Sequence, residues 1–338
     1  MKVLVTSVGS SPGLDIARSL RQDDSLYIMG SDNGHWGKEV GKTVCNEIIH
    51  APHASKETEL YLEFLEEQSK KVDFIFIGLD IEVEHISNND LKLYCPSHIP
   101  SNQASKIFLN KFDTYSKCSD KTFFPGSYIA NNDESLTKAL LDFNESAWLR
   151  PAEGTSGIGS YHAKSVDQAI TWVKFCQSRG MNVDWLVQEF LPGRNINWTG
   201  LYKNGKLIAH ASMERTEYFL ANVSISGVTG QIKRSLTIEG KQITQASEIV
   251  VREVETDLNG IYSVDLREDE NGIPKVTEVN PRFAGRNWLY TNAGMNLPLL
   301  TLYALTNNDY SNIPNNLKLG IEMYRQIDVE PMFRSINE

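Results

Sequence analysis

Two strand-like segments joined by a charged turn, residues 261–285, constrain this chain more than any other part of its sequence. Apolar and polar residues alternate on both sides of Asn271-Gly272, a dipeptide typical of the two-residue type I′ turn of a β-hairpin. In such a hairpin the numbers of facing positions add up to one constant value, so Asp265 lies directly opposite Glu278. The sequence therefore predicts an antiparallel strand pair that carries two facing carboxylates.

The facing acids indicate a bound cation. Two carboxylates with Cβ atoms roughly 4.5–5.5 Å apart repel each other unless a cation lies between them. Side chains alternate along a strand, so Asn280 and Arg282 project to the same side as Glu278 if the strand continues past Pro281. Asp, Glu and Asn offer only oxygen ligands, which suit Mg²⁺ that also binds phosphate oxygens. We therefore expect Asp265, Glu278 and Asn280 to hold Mg²⁺, and Arg282 to hold a phosphate in a bidentate fork.

A simpler interpretation of the same segment is an acidic hairpin whose charges are only solvated. The turn itself carries Glu268, Asp269 and Glu270, which we expect to be surface charges. From these residues alone both interpretations stay open.

The length and charge of the chain exclude some classes of function. At 338 residues it can bury a substantial core in two or three subdomains, and its 41% hydrophobic and 22% charged residues are ordinary for a globular α/β protein. The formal net charge is −10 and no block of Lys or Arg is present, which argues against a nucleic-acid partner. An anionic substrate must therefore be bound by local cations.

Cysteine spacing and hydropathy indicate where the protein works. The four cysteines are scattered without Cys-x-x-Cys spacing, so we expect reduced thiols and no zinc site or disulfide framework. The apolar run 3–5 is too short for a signal peptide, and no later stretch reaches ~18 apolar residues. We expect a cytoplasmic protein with no membrane partner.

The first hundred residues predict a parallel sheet. Short buried-strand patterns alternate with helical ones, which is typical of an α/β fold. Residues 78–82 follow one of these strands, where open sheets bind ligands. The predicted strands are 3–6, 26–30 and 73–78, and the predicted helices are 14–20 and 57–71.

The glycine turn 7–13 also allows a dinucleotide-binding interpretation. It aims backbone N–H groups at an anion, and Asp32 stands where such folds keep a ribose-binding acid. However, the turn lacks the Gly-x-Gly-x-x-Gly spacing. A short-chain dehydrogenase also needs Tyr-x-x-x-Lys on a helix, and the match from Tyr202 to Lys206 contains an Asn-Gly dipeptide that predicts a hairpin. A dehydrogenase is therefore disfavoured.

The middle of the chain supplies cations and a glycine-rich loop. Lys111 lies in a helical segment, and Arg150 lies on the predicted strand 147–151. Loop 153–159 follows directly with three glycines, and its N–H groups can cover phosphates. Its spacing is neither that of a Walker A loop nor that of a kinase loop, so a plain turn remains the alternative.

These pieces, in this order from Lys2 to about Asn307, resemble the ATP-grasp superfamily, and most of all single-module relatives of the carbamoyl-phosphate synthase large chain. The most specific match is Asp265 followed thirteen residues later by Glu278-Val-Asn280-Pro-Arg282-Phe-Ala-Gly. The family uses an acid, a Glu-x-Asn and often the following Arg to hold Mg²⁺–ATP.

The resemblance also implies roles for residues of the lid and hinge. Lys111 matches the lysine that approaches the nucleotide phosphates, and Arg150 stands where many relatives have Lys. Where relatives often carry Gly-x-Glu for the ribose, this chain has Gly-Arg-Asn, so Asn195 is the implied but weaker ribose contact. The remaining implied nucleotide contacts are Glu153, Gly154, Thr155, Ser156 and Gly157 of the glycine loop and Gln188, Glu189, Phe190 and Leu191 of the hinge strand.

The implied fold is α/β, with an α+β grasp part. A Rossmann-like parallel-sheet domain (1–100) precedes a two-lobed ATP-grasp domain with an antiparallel sheet. This domain has a small lid lobe (101–187) and a large lobe with the metal site (188–310), and a C-terminal tail (311–338) packs on the core.

The implied activity is an ADP-forming carboxylate–amine ligase. A carboxylate attacks the γ-phosphate of ATP, and one or two Mg²⁺ ions, which Mn²⁺ can replace, act with Lys111, Arg150 and Arg282 to spread the developing charge. An amine then displaces phosphate from the acyl phosphate. The alternatives are a carbamoyl-phosphate synthase-like enzyme or subunit, and an ATP-binding regulatory module without turnover.

The expected partners are a small-molecule carboxylate and an amine, and a homodimer is left open. The candidate substrate contacts are Arg215, Arg234, Arg286 and Asn287, with His35 and Trp36 as weaker candidates at the rim of the pocket.

Overall fold

A computed structural model of the chain describes residues 1–152, 157–222, 225, 227, 231–326 and 329–335. The described strands form three sheets, of four, four and seven strands. The first sheet is parallel and the other two are antiparallel, so the predicted combination of a parallel-sheet domain and an antiparallel grasp domain is confirmed. Within the described residues no helix has the length and apolar character needed to cross a bilayer.

The N-terminal sheet has the strand order β3-β2-β1-β4 and a buried core on both faces. Its strands are short apolar runs without alternation, as expected when helices cover both sides of a parallel sheet. Its elements are β1 (Lys2–Val5), α1 (Ser11–Leu20), β2 (Tyr27–Asp32), α2 (His35–Gly41), β3 (Glu47–His50), α3 (Thr58–Ser69), β4 (Phe74–Phe76) and α4 (Asp80–Asn88).

The second sheet, β5-β8-β6-β7, carries two helices and has a hydrophobic cluster of its own. Leu140, Leu149 and Val187 are fully buried in that cluster. Its elements, with the two helices that lead into it, are α5 (Asn102–Leu109), α6 (Lys111–Lys117), β5 (Ser127–Ala130), α7 (Asp133–Asp142), β6 (Ala147–Pro151), β7 (Tyr161–Ala163), α8 (Val166–Ser178) and β8 (Trp185–Glu189).

The third sheet has the order β13-β12-β9-β10-β11-β14-β15. The segment expected to be a tail, 311–338, supplies its last two strands. The elements are β9 (Asn195–Lys203), β10 (Lys206–Tyr218), β11 (Ile232–Ile238), α9 (Lys241–Val254), β12 (Gly260–Glu268), β13 (Pro274–Asn280), α10 (Asn287–Asn292), α11 (Leu297–Leu305), β14 (Ile321–Gln326) and β15 (Val329–Ser335).

The N-terminal sheet and the seven-stranded sheet share one hydrophobic core. The rings of Phe76 and Phe283 lie 6.2 Å apart within it. At its edge the Ser19 and Thr291 hydroxyls are 2.8 Å apart, joining α1 to α10. This packing fixes the glycine turn of the first sheet against the carboxyl end of β13.

The predicted hairpin has the predicted facing residues but a different turn. Asp265 pairs with Glu278 as expected. The strands, however, part at Glu268 and Pro274, which leaves a five-residue connection, and only Gly272 of the Asn-Gly dipeptide has a positive φ. An extra residue at Thr277 forms a β-bulge that restores the register. The type I′ turn prediction was wrong, and the facing of the two acids was right.

Candidate active site

A cavity of about 660 Å³ lies where the three sheets meet. Its walls come from the glycine turn before α1, the start of α4, the lid strands β6 and β8, and the ends of β12 and β13. Most of the predicted site residues line it, namely Lys111, Arg150, Gly157, Gln188, Glu189, Phe190, Leu191, Asn195, Asp265, Glu278, Asn280 and Arg282. Glu153, Gly154, Thr155 and Ser156 lie outside the described residues.

Asp265 is held by two donors from neighbouring strands. Asn197 on β9 donates to its Oδ1 at 2.7 Å, and Arg215 on β10 binds both carboxylate oxygens at 2.6 and 2.9 Å. Burial raises the pKa of Asp265, Arg215 counteracts that rise, and the facing Glu278 adds to it. Arg215 therefore neutralises this acid from inside the sheet. From the sequence alone, Arg215 was predicted only as a candidate substrate contact, and its pairing with Asp265 was not predicted.

Glu278 is neutralised from the lid side. Its Oε2 lies 3.6 Å from both Lys111 Nζ and Arg150 Nη1, and Asn280 donates to its Oε1 at 3.4 Å. Burial acts to raise the pKa of Glu278, but Lys111 and Arg150 outweigh it and hold the pKa well below the ordinary value. At 3.6 Å these ion pairs are longer than good hydrogen bonds. The two cations therefore lie beside the carboxylate at a distance greater than that of a charge-assisted hydrogen bond.

The lid cations are placed by their elements. Lys111 begins α6, where the Asn110 side chain caps the helix by accepting N–H bonds from Phe112 and Asp113. Burial lowers the pKa of Lys111, with Glu278 opposing. Arg150 on β6 donates to the carbonyl of Thr277, the residue that the bulge adds to β13. The bulge therefore serves as the contact point between the lid and the large sheet.

The donor set around the acid pair fits Mg²⁺. Asp265, Glu278 and Asn280 present two carboxylates and an amide, and the described residues contain no group of three or more His, Cys, Asp and Glu side chains that could hold a metal ion. An incomplete oxygen set of this kind leaves positions for water and phosphate oxygens, which is how Mg²⁺ is commonly bound beside a nucleotide. The Arg215 fork on Asp265, and Lys111 and Arg150 beside Glu278, offset the negative charge of the two acids.

Arg282 has a partner that the sequence did not predict. Its guanidinium forms an ion pair with Asp80, at the start of α4, and also donates to the Phe283 carbonyl at 2.7 Å. Asp80 Oδ1 is buried without a hydrogen-bond partner among the described residues. The segment 78–82 was singled out only by its place after a strand. In the structure it fixes the arginine expected to hold phosphate.

The predicted hinge forms one wall of the cavity. Gln188 is buried and donates to the Ser127 hydroxyl at 2.9 Å, while the Glu189 N–H bonds the Gly126 carbonyl at 3.0 Å. Phe190 stacks on His162 with ring centroids 3.6 Å apart and planes 2° apart. The chain leaves β8 after Glu189 with a fixed aromatic ring beside the cavity.

The Gly-Arg-Asn segment that follows is anchored by a buried acid. Arg194 binds both oxygens of Glu268 at 2.6 and 2.9 Å, and the Gly193 N–H donates to the Glu268 carbonyl at 2.9 Å. Glu268 is only 8% exposed, so the expectation of a surface charge was wrong. This anchor leaves Asn195 lining the cavity, 3.5 Å from Arg215 Nη1.

The structure gives Asp32 a purely internal role. Its carboxylate accepts the N–H of Gly9 at 3.0 Å and that of Gly34 at 2.8 Å. A Cβ added to Gly37 would lie 2.3 Å from the Asp32 carboxyl carbon. Asp32 is thus packed under two turns and does not line the cavity. Tyr202 and Lys206 lie at the ends of a hairpin instead of on a helix, which further disfavours a dehydrogenase.

The weaker sequence candidates divide into two groups. Arg215 and Arg286 line the cavity. Arg234 instead forms ion pairs with Glu217 and Glu322, and Asn287 donates to the Ala284 carbonyl within the core. His35 and Trp36 do not line the cavity, and Trp36 is 77% exposed.

Comparison with known proteins relates the chain to ATP-grasp proteins. No curated protein matches the chain in sequence, but the family model described as "ATP-grasp in the biosynthetic pathway with Ter operon" matches residues 181–326. N5-carboxyaminoimidazole synthetase from Staphylococcus aureus, solved with ADP, superposes on 96% of this chain and 82% of its own, with a TM-score of 0.70 at 13% identity. Residues 181–326 therefore resemble the ATP-grasp family in sequence, and the chain as a whole shares the fold of this synthetase.

Other solved structures share this fold at similarly low sequence identity. The biotin carboxylase domain of Hydrogenobacter thermophilus 2-oxoglutarate carboxylase, solved with MgADP, ADP and bicarbonate, has a TM-score of 0.73 at 12% identity over 96% of this chain and 74% of its own. The L-amino acid ligase of Bacillus licheniformis has a TM-score of 0.66 at 12% identity over 96% and 79%. The resemblance to the superfamily is confirmed, and the narrower likeness to carbamoyl-phosphate synthase stays a prediction.

Proposed function

We propose that this ATP-grasp protein is a Mg²⁺-dependent, ADP-forming ligase that joins a carboxylate to an amine. The observation that carries the proposal is the cross-strand pair of Asp265 and Glu278, which lines the same cavity as the lid cations Lys111 and Arg150. An acid pair ringed by basic side chains is suited to a cation that arrives with a polyanionic ligand.

The cavity offers separate places for each part of ATP. We assign the adenine to the hinge Gln188–Leu191 and the ribose to Asn195, because the hinge forms one wall of the cavity and Asn195 lines the cavity a few residues further along the chain. The phosphates then fall beside Lys111 and Arg150. Asp265, Glu278 and Asn280 would hold one or two Mg²⁺ ions, or Mn²⁺ in their place, and the metal would neutralise phosphate charge when bound.

The residues of the chain act by orientation and by charge. A substrate carboxylate oxygen attacks the γ-phosphorus, the bond to the β-phosphate oxygen breaks, and ADP leaves. Lys111, Arg150 and Arg282 donate hydrogen bonds to the oxygens on which charge builds up. An amine then attacks the acyl carbon of the acyl phosphate, loses a proton and releases phosphate. The chemistry needs no protein nucleophile, because positioning of the reactants supplies the rate.

The named activities of the fold neighbours support this class of reaction. One is an L-amino acid ligase, one is a synthetase solved with ADP, and one is a carboxylase domain solved with MgADP and bicarbonate. The bicarbonate in the last of these favours a second candidate function, that of a carbamoyl-phosphate synthase-like enzyme. In that case bicarbonate is the acid that ATP phosphorylates.

A substrate panel tests the proposal. Carboxylates, including bicarbonate, are incubated with MgATP, with and without ammonia, amino acids and other amines, and ADP, AMP and phosphate are measured. We expect ADP and phosphate in equal amounts that require both an acid and an amine. AMP as the product would replace the acyl phosphate with an adenylate, and ATP binding without any turnover would favour a regulatory module.

A further inference from the structure

Both acids of the proposed metal site have cationic partners within the chain. Arg215 binds the two oxygens of Asp265 at 2.6 and 2.9 Å. Lys111 Nζ and Arg150 Nη1 each lie 3.6 Å from Oε2 of Glu278. A metal ion is attracted by negative charge, and three cations of the chain already offset the charge of these two acids. A metal therefore has to compete with side chains of the protein for the carboxylates.

The two acids differ in how firmly their partners are bound. The Arg215 fork on Asp265 has the short, bidentate geometry of a strong charge-assisted pair, and Asn197 adds a third hydrogen bond at 2.7 Å. The two cation contacts of Glu278 are longer, and its side chain is 27% exposed against 14% for that of Asp265. Glu278 is therefore the acid whose cationic partners exchange more easily.

A metal ion on Glu278 would lie close to both lid cations. Mg²⁺ binds carboxylate oxygens at about 2.1 Å, so an ion on Oε2 would be within about 6 Å of the Lys111 and Arg150 nitrogens, which both contact that oxygen. These two side chains are only 8% and 12% exposed, so water screens the repulsion poorly. The rest of the cavity does not offset it, because the described lining has seven Lys and Arg but four Asp and Glu side chains. A divalent cation alone is therefore disfavoured at this acid.

A polyanionic ligand would change this balance. Lys111 begins α6 and Arg150 lies on β6, so the lid cations belong to different elements from Glu278 on β13. Phosphate oxygens offer these cations several negative charges in place of the single charge of Glu278. Lid cations that bind phosphate no longer repel a metal from the carboxylate.

We propose that Lys111 and Arg150 compete with the metal for Glu278, so that the metal site forms only when nucleotide phosphates draw these two cations away. Metal and nucleotide then favour each other's binding, and thermodynamic linkage makes the effect equal in both directions. The role of the phosphates in this inference rests on the proposed ligase function. The competition at Glu278 is a property of the chain itself and does not depend on turnover.

Binding of Mn²⁺ alone tests the competition without nucleotide. Mn²⁺ prefers the same oxygen ligands as Mg²⁺, and the electron paramagnetic resonance signal of the free ion measures its binding to the full chain. We expect Lys111→Met to bind Mn²⁺ about 10- to 100-fold more tightly than the wild type, because one repelling charge is lost. Lys111→Arg, which keeps the charge, should match the wild type, and so should Lys138→Met at an exposed position of α7.

Two further variants make the measurement independent of one substitution. Arg150→Gln removes the other lid charge and should also tighten Mn²⁺ binding, although loss of either cation weakens nucleotide binding. The opposite signs separate competition from damage to the fold, since a disrupted site would bind both ligands more weakly. The double variant Lys111→Met/Glu278→Gln should lose the gain, which would place the ion on Glu278.

Two results would overturn the competition. One is an affinity for Mn²⁺ that is no higher in Lys111→Met and Arg150→Gln than in the wild type. The other is a gain that survives in the double variant, because the ion would then be bound elsewhere. If the gain appears but no acid yields ADP, the competition stands and the ligase proposal fails. If ADP forms but the gain is missing, the ligase proposal stands and the competition fails.

Discussion

Arg282, just beyond β13, forms an ion pair with Asp80 at the first residue of α4. The pair joins the N-terminal parallel sheet to the strand that carries Glu278 and Asn280. It therefore fixes the Arg282 guanidinium of the proposed site from the N-terminal part of the chain. A residue at the start of α4 thus orients a cation that follows β13, which couples the packing of these two elements to the proposed chemistry.

Replacing Asp80 with Asn should impair the reaction more than nucleotide binding. Arg282 loses its charged partner and no longer points in one direction, so we expect kcat to fall by about 10- to 100-fold with the KM for ATP changed by less than about threefold. Steady-state ADP release as a function of ATP concentration measures both constants. Asp133→Asn, at an exposed ion pair in α7, is the control. A KM effect as large as the kcat effect would show that Asp80 acts on nucleotide binding instead.

The lid cations should act through the phosphates. Lys111→Ala and Arg150→Ala each remove a positive charge next to Glu278, so we expect ATP and ADP to bind about 10- to 100-fold more weakly while adenosine binds unchanged. Calorimetric titration with the three ligands separates the contributions. Lys138→Ala, at an exposed position of α7, should match the wild type. Equal losses for adenosine and ATP would place these residues at the adenine or in the fold.

Glu278 should make stability sensitive to acid. Lys111 and Arg150 hold its pKa at about 2 in the folded chain against burial, which acts to raise it, and in the unfolded chain a Glu pKa is about 4.3. A depressed pKa adds stability that is complete above the unfolded value and is lost as the pH falls towards the folded one. Between about pH 5 and pH 2, Glu278→Gln should therefore lose less unfolding free energy than the wild type. Urea unfolding at several pH values measures the slopes, and parallel slopes would contradict the assignment.

The packing of Asp32 predicts a contrast between two glycines at the start of α2, Gly34 just before the helix and Gly37 within it. A Cβ at Gly37 would lie 2.3 Å from the Asp32 carboxyl carbon, whereas one at Gly34 would make an ordinary 3.4 Å contact. Gly37→Ala should therefore lower the unfolding free energy by about 1–3 kcal/mol, as overpacking typically does. Gly34→Ala should cost less. Equal effects in thermal or urea unfolding would mean that the start of α2 adjusts freely around Asp32.

The two Asn-Gly dipeptides show how far local sequence determines a turn. Asn204 and Gly205 both have positive φ and close a two-residue hairpin, as predicted. At the second dipeptide, Asp269 accepts the N–H groups of Asn271 and Ile273, each at 2.9 Å. This side-chain acceptor stabilises a longer connection in place of the type I′ turn. The same dipeptide thus forms two different turns, because the second one has the Asp269 carboxylate beside it as a hydrogen-bond acceptor.

The fold and the facing acids could be predicted because both follow from local patterns. Apolar residues that alternate with polar ones predict strands, and apolar residues that recur at helical spacing predict helices. Once the two strands are paired, Asp265 lies opposite Glu278. The ion pairs Arg215–Asp265, Asp80–Arg282 and Arg194–Glu268 join residues 50, 202 and 74 positions apart. No periodicity in the sequence relates such residues, so these partners appear only once the sheets are packed.

The most direct test of the account is the Mg²⁺ dependence of ATP binding in Glu278→Gln. Calorimetric titration is done with ATP, with and without Mg²⁺, on the wild type, on Glu278→Gln and on Glu270→Gln, a control at an exposed position of the same hairpin. We expect Mg²⁺ to tighten ATP binding at least tenfold in the wild type and in the control, and to have little effect in Glu278→Gln. An undiminished Mg²⁺ effect in Glu278→Gln would contradict a metal held by the two facing acids.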